Sequence, residues 1–75
     1  MFHTIQFNIG LAVDVERSPK QPLERLCIHV GSRMRAQIKP YVVDSDYGPI
    51  EVADLFFEDG AATRMIPYAC FSFVE

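Results

Sequence analysis

The residues able to do chemistry are few and scattered. The possible soft metal ligands are Cys27, Cys70, His3 and His29. A zinc site wants two donors at short spacing, as in Cys-x-x-Cys, so that both reach one ion. Cys27-x-His29 fails this on a helix, where the two side chains point about 200° apart; on a strand they would share a face. A reactive thiol needs an electropositive, partly open setting. Cys70 lies between Ala69 and Phe71 in an apolar run, and Cys27 falls on an apolar stripe. Both are therefore expected to be buried and inert, as two thiols in a reducing compartment rather than one bridge. No serine sits in a Gly-x-Ser-x-Gly context, and neither histidine has an orienting carboxylate close in sequence. The four glycines are dispersed, which removes the GxGxxG and P-loop phosphate cradles. Asp44, Asp46, Glu58 and Asp59 fall in turns, where a carboxylate bonds its own backbone. Asp54 and Glu51 are more unusual, because each interrupts a β-rich run. No catalytic, metal or cofactor constellation emerges, and the chain is expected not to be an enzyme.

Charge is distributed unevenly along the chain. Residues 17–39 hold Arg17, Lys20, Arg25, Arg33, Arg35 and Lys39 against Glu24 alone, whereas residues 44–59 hold Asp44, Asp46, Glu51, Asp54, Glu58 and Asp59 with no basic residue. The simplest expectation is self-complementation, within the fold or across a dimer. A nucleic-acid surface on Arg25, Arg33, Arg35 and Lys39 is the rival. The pI of about 5.2 weighs against it, because nucleic-acid binders are usually basic.

The elements that must carry these residues follow from periodicity. Residues 3–13 alternate, with His3, Ile5, Phe7, Ile9, Leu11 and Val13 on one side, which predicts a half-buried strand with Gly10 as a bulge or close approach. Residues 16–22 are rich in breakers. From Leu23 on, Leu26, Cys27, Val30, Met34 and Ile38 join Leu23 within one helical arc, and Arg25, His29, Arg33, Arg35 and Lys39 lie outside it. An amphipathic helix ending before Pro40 is expected. The alternative is two strands, with Leu26, Ile28 and Val30, then Met34, Ala36 and Ile38, turning at Gly31-Ser32. A short strand follows at Tyr41-Val42-Val43, then a turn at DSDYGP. Asp59-Gly60 between the runs 50–58 and 61–66 is a strong hairpin signal. With a two-residue turn, Glu58 pairs with Ala61, Phe57 with Ala62 and Phe56 with Thr63. A last strand is expected over 70–74, after a turn at Pro67-Tyr68-Ala69.

The resulting fold class is α+β: one domain over 1–75, ordered β-α-β-β-β, a mostly antiparallel sheet with one helix on it. A runner-up comes from Met65-Ile66-Pro67-Tyr68-Ala69-Cys70-Phe71. That strand, tight turn and short strand resembles the end of SH3-like barrels and implies an all-β small barrel.

At 75 residues, a folded chain buries only roughly 60% of the surface its unfolded form exposes, so a partner is a common means of stabilisation. Both faces of the expected hairpin carry large apolar residues, and one helix covers only one of them. We therefore expect a non-enzymatic binding module, a homodimer or higher oligomer that takes a protein partner or a small apolar ligand. Its interface would draw on Val52, Phe56, Phe57, Met65, Phe71 and Phe73. The alternatives are a nucleic-acid accessory protein and a small enzyme with a site shared between subunits. No apolar run approaches the ~20 residues of a membrane helix, and the N-terminus shows no secretion pattern, so a cytoplasmic address is expected.

Overall fold

A computed structural model describes residues 1–74. The chain is nearly all β: β1 (His3–Phe7), β2 (Leu11–Val15), β3 (Glu24–Ile28), β4 (Arg33–Ser45), β5 (Gly48–Phe57), β6 (Ala62–Pro67), one 3₁₀ turn (Tyr68–Cys70) and β7 (Phe71–Phe73). All pairings are antiparallel. Five strands form one sheet in the order β6-β5-β4-β1-β7, and β2 and β3 form a second. The α+β expectation is overturned, because the amphipathic helix is absent. Nor is there a closed barrel: the two sheets remain separate along most of their length.

The expected helix is replaced by β3, a turn and β4. His29 C=O accepts the Ser32 N–H at 3.1 Å, and Gly31 has φ +84° while Val30 does not have positive φ. This is a type II turn, which calls for glycine at its third residue. Sheet packing then selects the period of two. Ile28 and Ala36 are buried, with Leu26, Met34 and Ile38 packed against the core, while Cys27 and Val30 on the helical arc are exposed. Cys27 is thus not the buried thiol expected from the helical arc; both cysteines are unbridged.

The expected strand over 3–13 is in fact two strands in different sheets, broken at Asn8-Ile9-Gly10. Asn8 stops β1 by turning to the other end of the chain. Its N–H donates to Cys70 C=O at 2.7 Å and its Nδ2 to Ser72 Oγ at 3.1 Å. Ile9 is left exposed. The chain crosses to β2, and β2 and β3 lie against the large sheet. The core between them holds Ile5, Phe7, Val13, Val15, Leu55 and Phe71, among others.

The Asp59-Gly60 hairpin forms, with one more loop residue than expected. Phe57 C=O accepts the Gly60 N–H at 3.1 Å, Phe57 N–H donates to Ala61 C=O at 2.8 Å, and Gly60 has φ +90°. This is a type I turn closed by a glycine bulge, a three-residue loop. Phe56 therefore faces Ala62 and Leu55 faces Thr63, one residue out of the expected register. At the C-terminal end the 3₁₀ turn takes Cys70, and the last strand starts at Phe71.

Because a Cβ at Gly31 would meet nothing within 4 Å, the effect of Gly31→Ala isolates backbone conformation. We expect it to destabilise the fold by about 1–2 kcal/mol, the penalty of a left-handed L-residue, read as a lower denaturation midpoint at unchanged m-value. A helix over these residues would give the opposite sign. Native labelling with a thiol reagent should modify Cys27 first and half-buried Cys70 more slowly.

Candidate functional site

Asp54 stands in the middle of β5 with its side chain only 17% exposed. It meets a defect in β6. Ala53 pairs with Ile66 and Leu55 with Thr63, so Asp54 alone opposes both Arg64 and Met65. This is a β-bulge. Met65 takes φ +59°, the one positive φ outside glycine among the described residues. The carboxylate holds this backbone in place. Oδ1 accepts the Met65 N–H at 3.1 Å and the Tyr41 hydroxyl at 2.8 Å, and Oδ2 accepts Arg64 Nη1 at 3.1 Å. Burial pushes the Asp54 pKa up, but the three donors outweigh it and leave it below the ordinary carboxylate value. The same bond raises the Tyr41 pKa, with burial adding to it.

The bulge opens onto a concavity lined in part by Met65. β6 ends the five-stranded sheet and β2 is an edge of the small one, so two strand edges face each other. They meet at one point, where Glu16 and Ala62 exchange reciprocal backbone hydrogen bonds of 2.8 Å. Thr63 Oγ1 donates to Asp14 C=O at 2.8 Å beside it, which satisfies a buried hydroxyl. Beyond that point the edges part around a cleft of about 460 Å³ whose lining includes Leu11, Leu23, Arg25, Arg64 and Met65. Ligand sites of roughly 300–1,000 Å³ are usual for small molecules. Leu23 and Met65 are 60% and 56% exposed, apolar side chains left at the rim.

The basic residues are divided by the fold. Arg33, Arg35 and Lys39 alternate along the outer face of β4, opposite the buried Ala36, while Arg25 sits on β3 in the other sheet, 3.5 Å from Asp14. Lys39 and Arg64 lie over the Phe56 ring at 5.1 and 5.6 Å from its centroid. Such contacts hold a ring that would otherwise be an apolar patch. Arg33 Nε donates to Gln6 at 3.0 Å, and Arg35 pairs with Glu58 at 3.6 Å. Arg17 bridges Glu24 at 3.1 Å and Asp59 at 2.8 Å, which raises the Arg17 pKa and, with the Ala61 N–H, lowers that of Asp59. Part of the expected self-complementation is thus within the fold.

Of the apolar residues expected at an interface, Val52 and Phe71 are buried and Phe57 packs against the core. Phe56 is half-buried, and Met65 and Phe73 are exposed. Among the described residues, no three of His, Cys, Asp and Glu gather closely enough to hold a metal ion, and no helix is long and apolar enough to cross a membrane. The cleft escaped the sequence because strict alternation along β6 places Thr63 and Met65 on one face. The visible signal was Asp54, a charge inside an apolar run. No family model matches the chain, and no characterised protein or solved structure is similar to it.

The lowered pKa of Asp54 links it to stability. Its contribution is fully present above the ordinary carboxylate pKa and is lost as pH falls through the lowered value. Asp54→Asn should therefore flatten the acid limb of a stability–pH profile. At neutral pH, Asp54→Ala should cost about 1 kcal/mol, because the Met65 N–H and the Tyr41 hydroxyl lose their protein acceptor. An unchanged acid limb in the Asn variant would show that the carboxylate does not carry the bulge.

Proposed function

We propose that this chain is a non-enzymatic binding module whose site is the cleft between β2 and β6, and that its ligand is an extended segment of a protein partner. The observation that carries this reading is the pair of facing strand edges with exposed Leu23 and Met65 between them. An extended peptide takes its affinity from main-chain hydrogen bonds to such edges and its specificity from pockets for alternate side chains. A cleft that already has one reciprocal bridge at Glu16–Ala62 offers a defined end against which to align it. Met65 adds support. A non-glycine residue held at positive φ is strained, and such strain gathers at ligand clamps when the surroundings over-determine it, as Asp54 does here. The charges at the rim, Glu16 on one side and Arg64 on the other, suit a polar backbone passing between them.

Selection of phage-displayed linear peptides on the folded chain provides the test. Peptides with apolar residues at alternate positions should be enriched. Met65→Glu and Leu23→Glu should each weaken their binding at least ~10-fold, equivalent to about 1.4 kcal/mol, with the denaturation midpoint little changed because both side chains are exposed. Failure to enrich any sequence, or binding indifferent to both substitutions, would refute the site.

A further inference from the structure

The fold sorts charge by face, which the net charge of −3 conceals. Alternation along the β4–β5 ladder is unbroken, so Ala36, Leu55 and Phe57 mark its core side. Arg33, Arg35, Lys39 and Tyr41 then share the outer side with Asp54 and Phe56. Arg64 reaches the same side, where it pairs with Asp54 and lies over the Phe56 ring. The carboxylates here are held: Asp54 by Arg64, and Glu58 by Arg35. Arg33 and Lys39 make no ion pair among the described residues. Asp44 and Glu51 fall on the core side of the ladder, and Asp14 and Glu24 lie in the small sheet beyond the core. Packed sheets stand about 10 Å apart, more than the ~8 Å Debye length of physiological salt, so the acidic far side is largely screened from this face. The acidic pI therefore does not describe it.

We infer that this outer face binds a single strand of nucleic acid, with phosphates along the β4 row of cations and bases against Tyr41 and Phe56. The row from Arg33 to Lys39 spans about 20 Å at the rise of an extended strand. Tyr41 follows in the same row, 37% exposed, with its ring pinned by the 2.8 Å bond from its hydroxyl to Asp54. Half-buried Phe56 faces Gln37 across the ladder, with Lys39 and Arg64 over its ring. Unstacked bases lie on aromatic rings or on guanidinium planes whatever their sequence, and a flat sheet presents both at once. A duplex keeps its bases stacked inside and offers such a face only phosphates. β1 and β7 continue the surface with Thr4, Gln6 and Ser72. It is the side of the large sheet turned away from the core, so it is a second surface beside the β2–β6 cleft and does not depend on it.

Fluorescence anisotropy of a labelled oligothymidine of about 12 nucleotides tests this. At ~50 mM salt the wild-type chain should bind with a Kd below ~100 µM, and log K should fall against log salt with a slope of about −2, for three phosphate contacts at ~0.7 each. Arg33→Gln/Lys39→Gln should weaken binding at least ~10-fold at that salt and make the slope shallower by about 1.4. Lys20→Gln, which removes a charge from an exposed site off this face, should leave the affinity within about two-fold. Tyr41→Phe and Tyr41→Leu both lose the bond to Asp54, so the two differ in the ring alone; the Phe variant should bind at least ~5-fold tighter. Denaturation midpoints identify any variant that has lost its fold. No binding by the wild-type chain, binding indifferent to the double substitution, or Phe and Leu variants that bind alike would each overturn the proposal. So would a duplex of the same length, or heparin, held as tightly as the single strand, which would make the face a general polyanion surface.

Discussion

The carboxylate of Asp54 sets the phase of β6, and much of the molecule depends on that phase. In an uninterrupted pleat, Thr63 and Met65 would point one way and Ile66 the other. The extra residue opposite Asp54 resets the alternation, so that Thr63 and Ile66 are both buried and Met65 is turned out. Ile66 then joins the core, and Thr63 is placed to bond Asp14 C=O in the second sheet. Without an acceptor for the Met65 N–H, a bulge with a methionine at positive φ would leave strain with nothing to offset it. One half-buried charge with three donors thus resolves a backbone problem, and Arg64 pairs that charge.

Backbone hydrogen bonds tie the small sheet and the turn that leads from it to the large one, and the core fills the space between the layers. At one end Glu16 and Ala62 exchange hydrogen bonds. At the other, Phe7 N–H donates to Ser32 C=O at 2.9 Å, and Phe7 C=O accepts the Gly31 N–H at 2.8 Å. Both attachments adjoin core side chains, Val15 beside Glu16 and Phe7 itself. Between them the β2 and β6 edges are unpaired. A chain this short has too little apolar surface to close every seam, and the seam left open is the one adjoining the strained Met65.

Most strand positions were legible in the sequence, but the fold class was not. Leu26, Met34 and Ile38 satisfy a period of 3.6 and a period of 2 equally, so they could not decide between helix and strands. The decisive residues were Ile28 and Ala36, which fit only the strand period, and Arg33, Arg35 and Lys39, whose spacing of two places them on one strand face as well as on a helical arc. Gly31 was the local marker, a helix weakener in one case and a required turn residue in the other. The break at Asn8-Ile9-Gly10 was hidden because Leu11 and Val13 resume in the phase of Ile5 and Phe7. What interrupts the strand is the pairing of Asn8 with Cys70 and Ser72, more than sixty residues away, and no local pattern carries that. At the hairpin the turn was legible from Asp59-Gly60 but its length was not. That length depends on whether glycine sits inside the turn or closes it as a bulge.

Asp54 stands beside the cleft without lining it, and the bulge fixes its state. It is the carboxylate nearest in character to a catalytic group: half-buried, in a cluster, beside a tyrosine and an arginine. A general acid or base working near neutral pH needs a carboxyl pKa raised towards that range. Here the three donors lower it and engage both oxygens, so the group stays ionised. Tyr41 is held the other way, as a donor to that carboxylate with its proton bound more firmly than usual. Both titratable groups are thereby held in their ordinary charge states.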